Sequence, residues 1–148
     1  MNRIKVCIFV FLFALFLTSN ALSKSNYFDE GKVLFQQKKF SQSRFKFEKD
    51  IVRNPKSEKS YLYLAKIFKK KENIEEEENN LQKVLLINPQ NDEAIYMLTL
   101  IKIDQSDYKK AEELINKFTL VCKSFCSKKK EIESKFKKLS PENAKNNN

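Results

Sequence analysis

Glycine occurs once in the 148 residues, at Gly31, and neither histidine nor tryptophan occurs at all. Without glycine there is no loop able to bring its backbone close around a phosphate, because that approach needs residues free of a Cβ. Without histidine there is no imidazole base for neutral pH and no residue to complete a metal site. Cys122 and Cys126 have no activating partner, and their spacing is not Cys-x-x-Cys. Catalysis, a cofactor and a bound metal are therefore not expected. Carboxylates on exposed helices are too common to point to a reaction.

What is abundant is lysine, glutamate, leucine and glutamine, all good helix formers, so the composition favours an all-α fold. Lysine, asparagine, isoleucine and phenylalanine are jointly rich, as an AT-rich genome would produce, so the formal charge of +10 is discounted as a sign of a partner. Arg3 and Lys5 precede an uncharged apolar run, Val6 to Leu17, which is shorter than the roughly 20 residues a bilayer needs. Small-residue cleavage sites follow, after Ala21 and after Ser23. The expectation is a signal peptide over 1–23, export to a periplasm or beyond the cell, and no membrane span once the leader is removed. The alternative is an uncleaved N-terminal anchor. Removal takes Cys7 with it and leaves the pair in CKSFC, Cys122 and Cys126. Two readings of that pair stay open: a disulfide, which a four-residue separation permits at a helix end, or two buried free thiols on one helix face.

The remaining chain is the size of one domain and repeats itself. Pro89 ends one apolar pattern and Asp92 opens the next, and Pro55 marks the same joint one period earlier. The period is about 34 residues, the length of a repeating helical pair. On it Phe40, Ile74 and Tyr108 align, as do Phe47, Leu81 and Ile115, and the smaller Gly31, Ala65 and Thr99. Each unit holds two apolar stripes at helical spacing separated by a polar turn, which makes it a helical hairpin. Seven helices are expected, at about 25–38, 40–53, 58–71, 74–87, 92–105, 108–121 and 128–139. The last carries Ile132, Phe136 and Leu139 on one side of a lysine-rich helix, the pattern of a cap on an array. Residues 141–148 form a polar tail expected to be disordered.

On these residues the chain resembles the tetratricopeptide repeat family, over about 24–125. The family pattern is met by Tyr27, Gly31, Phe40, Ser43 and Pro55, then Tyr61, Ala65, Ile74 and Pro89, then Ile95, Tyr108, Ala111 and Phe118. The resemblance implies repeats at about 24–57, 58–91 and 92–125, a short right-handed superhelix and a domain closing with the capping helix at 128–139. Four departures stand out. Glu77 takes a position where the family has alanine, Asp50 and Lys102 take packing positions, and Lys123 replaces the last proline. Glu77 lies in the acidic run 75–78, expected as a solvated first turn, because burying it unpaired is expensive. The second hairpin is accordingly expected to pack less closely.

The resemblance also implies a concave groove lined by the first helix of each unit, which binds a segment of another protein. Carried over residue by residue, that lining is Phe28, Lys32 and Phe35, then Lys59, Leu62, Tyr63, Lys66, Lys69 and Lys70, then Tyr96, Leu100 and Ile103. The aromatic and basic lining implies an acidic, partly apolar peptide and no small-molecule substrate. The carboxylate clamp of chaperone-binding members does not carry over, since Lys32 and Tyr63 stand where it needs asparagine. The alternative function is lysine-driven binding of anionic polymers or lipid headgroups at the cell envelope. Nucleic acid is disfavoured, with Arg44 and Arg53 the only arginines past the leader.

Overall fold

A computed structural model describes residues 26–140; the expected leader and tail lie outside the described residues. The helices are α1 (Tyr27–Gln36), α2 (Phe40–Arg53), α3 (Glu58–Lys70), α4 (Ile74–Ile87), α5 (Asp92–Asp104), α6 (Tyr108–Val121) and α7 (Lys129–Leu139). One 3-10 turn, Cys126–Lys128, precedes α7, and no strand occurs among the described residues. The all-α repeat architecture read from the apolar columns is the one observed.

Local chemistry starts and stops these helices. Asn26, Asn73, Asn91 and Asp107 accept a backbone N–H from the first turns of α1, α4, α5 and α6, satisfying one of the donors a helix start leaves open. Each tight turn inside a hairpin passes through one residue with positive φ: Lys38 at 59°, Glu72 at 55° and Ser106 at 60°. The three are spaced by the repeat, and none is glycine. The single glycine serves packing instead. A Cβ built on Gly31 would stand 2.7 Å from Cε1 of Phe47, so the ring lies against the bare backbone of α1.

Each second helix packs against its own partner and against the first helix of the next unit, α2 on α3 and α4 on α5, and α7 closes the row on α5 and α6. The core divides accordingly. Phe47, Leu64, Ile67 and Phe68 form the cluster between the first and second units. A larger cluster, including Leu81, Ile95, Leu98, Phe118 and Ile132, joins the second and third units to α7.

Two expectations about the second unit are corrected. Glu77 is not solvated: it is 5% exposed. Nor is the hairpin loosened, since α3 and α4 share the most extensive helix contact in the chain. The register explains both. In the first unit the Ser43 hydroxyl donates to the Gly31 carbonyl at 2.8 Å, and Glu77 and Ala65, the residues one repeat later, are both buried. Burial raises the Glu77 carboxyl above the usual range, opposed by the nearby Lys69 ammonium.

The other departures find partners. Lys102 donates to Glu78 at 2.5 Å and to Gln105 at 2.9 Å. Burial alone would raise Glu78, yet hydrogen bonds from Lys102 and Gln105 outweigh it and hold the carboxyl below its ordinary value. Asp50 accepts the hydroxyls of Ser57 and Ser60, each at 2.5 Å, pinning the start of α3 to the end of α2. Lys123, in place of proline, supplies a backbone N–H that proline lacks. That N–H, with those of Ser124 and Phe125, donates to one Asp92 oxygen at 2.6 to 2.9 Å. Cys122 and Cys126 are joined as a disulfide around this loop, with Cα atoms 5.2 Å apart. One repeat earlier Glu58 does the same work as Asp92, accepting from Asn88 at 2.9 Å and from Asn91.

Candidate partner-binding face

Three contacts place α1, α3, α5 and α7 side by side. Phe28 and Phe35 of α1 meet the Tyr63 ring of α3 at 5.7 and 5.1 Å. Lys66 of α3 pairs with Glu93 of α5 at 2.8 Å. The Tyr96 hydroxyl of α5 donates to Glu131 of α7 at 2.6 Å. These first helices carry every residue assigned to the groove from the sequence.

The first two units bring the basic and aromatic residues together. Tyr63 is the hub of a ring cluster and stacks on the buried Phe47 at 5.0 Å. Above this floor lie lysines. Lys59 stands 5.9 Å from the Phe28 ring and Lys66 5.0 Å from the Tyr63 ring, distances at which a cation is drawn to the ring face. Burial, and then the Glu93 charge, raise the Tyr63 phenol. Lys32, Lys59 and Lys70 are exposed and form no ion pair among the described residues. Lys69 lies near enough to Glu77 and Glu131 to favour the ionised form of both.

Other expected lining residues are covered. Leu62 is 9% exposed, Tyr96 is 8% and Ile103 is 1%; Leu100 is half-buried against the larger core. For Tyr96 the reason is α7. Glu131 takes the Tyr96 hydroxyl and the Lys128 ammonium lies 5.7 Å over its ring. Burial, and then the hydrogen bond and charge of Glu131, push the Tyr96 phenol up to about 12. The capping helix thus ends the accessible face at the second unit. Glu93 is the functional neighbour that sequence reasoning missed. It occupies Lys66 from the adjacent helix, a pairing between repeats that no local spacing announces.

The described residues contain no cluster of metal-binding side chains, and no helix among them is long and apolar enough to cross a membrane.

No protein-family model matches the sequence, and no curated protein is recognisably similar to it. Solved structures do match. A tetratricopeptide repeat protein from Parabacteroides merdae ATCC 43184 superposes with a TM-score of 0.71 at 19% identity, over 82% of this chain and 47% of its own. The present chain therefore spans less than half of that protein. The tetratricopeptide repeat domain of Sgt2 from Aspergillus fumigatus superposes at 0.67 with 18% identity, over 85% and 83%. A chain of the CopN–Scc3 complex superposes at 0.63 with 14% identity, over 73% and 65%. The chain has the tetratricopeptide-repeat fold.

Proposed function

We propose that the protein is a non-enzymatic binding module whose α1–α3 face holds an acidic, partly apolar segment of another protein. The observation that carries this reading is the pairing of lysines with aromatic rings on one face, Lys59 over Phe28 and Lys66 over Tyr63. A carboxylate reaches the ammonium groups while an apolar side chain lies on the rings. The similar folds support a protein as partner, one of them belonging to a protein complex. The Lys66–Glu93 pair implies that an incoming carboxylate replaces an internal one at that position. Lys59 needs no such exchange. Export sets where the partner is met, in a periplasm or outside the cell.

The test is fluorescence anisotropy with a labelled peptide alternating glutamate and leucine. Lys59→Glu with Lys66→Glu should weaken binding about tenfold or more at low salt and slow association. The same reversal at Lys129 and Lys130 on α7 should leave binding nearly unchanged. Equal losses from both pairs would favour unspecific capture of polyanions. Tyr63→Ala is the poorer probe, because Tyr63 supports Phe47 and its loss would act on stability first.

A further inference from the structure

The ends of the second helices carry an unexplained row. Val52, Leu86 and Leu120 sit in the last turns of α2, α4 and α6, one repeat apart, and are 83%, 83% and 85% exposed. A solitary exposed aliphatic residue is ordinary. Three in one register are aligned by the repeat itself. One turn before each stands a lysine, Lys49, Lys83 and Lys117, and Lys56 and Lys123 follow in the joints. Over 49–56, 83–90 and 117–124 the only acidic residue is Asp50, and both Ser57 and Ser60 already occupy it. Helix dipoles account for cations at helix ends. They do not account for aliphatic side chains standing in water beside them.

We propose that this edge seats the protein on an anionic lipid surface, with the three aliphatic side chains entering the boundary between headgroups and acyl chains. The lysines meet the lipid phosphates. Protein hot spots favour large aromatic anchors seated in pockets, whereas protruding aliphatic residues among cations are what interfacial binding uses. A second feature fits the same ligand. Beside Leu86 lies a hollow of about 350 Å³ lined by Pro55, Tyr61, Leu86 and Ile87 together with Lys56 and Lys83. Its apolar walls suit an acyl segment and its lysines the phosphate above. Apart from Tyr61 the edge is formed by the second helices and the joints after them, and it uses none of the lysine-bearing rings of the α1–α3 face.

Co-sedimentation with vesicles tests this, using phosphatidylcholine alone and phosphatidylcholine mixed with phosphatidylglycerol. Every variant is made in the full chain, so that the apolar stretch 6–17 contributes equally throughout. The unaltered protein should bind the mixed vesicles more tightly than the neutral ones. Val52→Ser, Leu86→Ser and Leu120→Ser together should cut binding to mixed vesicles at a few hundred millimolar salt at least fivefold, because screening leaves the apolar part. Circular dichroism should show the helices intact, since all three positions are exposed. At the same salt, Lys129→Glu with Lys130→Glu on α7 should bind vesicles nearly as the unaltered protein does. Equal binding by the triple serine variant would overturn the proposal, as would indifference to phosphatidylglycerol. Indifference to vesicles combined with capture of an acidic protein through the same three residues would reassign the edge to a protein partner.

Discussion

Glu77 shows at the scale of one residue how a repeat tolerates the wrong side chain. Its carboxyl is covered by its neighbours, and the nearby Lys69 offsets part of the cost. Because burial raises its folded-state pKa, the group favours folding below the ordinary glutamate range. That contribution is lost as pH rises through the folded value. Glu77→Gln removes the charge and keeps the shape, so it should stabilise the protein at neutral pH by about 1–2 kcal/mol. Below about pH 4, where both states are protonated, the gain should vanish. Urea unfolding at the two pH values measures it, and an equal gain at both would show that charge is not the cause. The apolar columns place Glu77 in the correct register. What they do not show is that Glu77 is buried and that Lys69 lies near it, which appears only when two helices face each other. Leu62, Tyr96 and Ile103 mislead in the same way: their register is legible, but the helix that covers Tyr96 belongs to a different part of the chain.

At the scale of the element, helices and their joints are legible from the apolar columns and from Pro55 and Pro89, and the left-handed residues of the tight turns are not. A left-handed residue normally announces itself as glycine or asparagine, and here the positions hold Lys38, Glu72 and Ser106. A non-glycine residue costs roughly 1–2 kcal/mol in that conformation. Glycine there would relieve the strain but free the unfolded chain by roughly 0.5–1 kcal/mol. Relief should win narrowly. Glu72→Gly is therefore expected to raise stability by about 0.5 kcal/mol, the balance of strain relieved against chain freedom gained, with a small increase in melting temperature. A lower melting temperature would mean that the Glu72 side chain contributes more than its backbone costs.

Across the whole molecule, the joints are fastened by acids one repeat apart, Glu58 on Asn88 and Asn91, Asp92 on the disulfide loop. Burial opposes ionisation of Asp92, but the backbone N–H groups of Lys123, Phe125, Ser124 and Glu93 outweigh it and hold its pKa below the usual aspartate value. Its contribution is complete above the ordinary aspartate range and is lost as pH falls through the depressed folded value. Asp92→Asn should cost about 1–3 kcal/mol at neutral pH and speed hydrogen exchange of the 123–125 amides and of α7 ahead of the other helices. Uniform exchange in all helices would mean that the loop and α7 do not open as a unit. The capping helix is legible in Ile132 and Phe136, whereas this fastening is not, because it joins a side chain to bare backbone. The hydrogen bonds described above reach no further than 35 residues along the chain, from Tyr96 to Glu131. A ribosome adding roughly 5–20 residues per second delivers that span in about 2–7 s. The Glu58 clasp can therefore close while the third hairpin is still being made, whereas the Asp92 and Tyr96 clasps wait for residues 123–131.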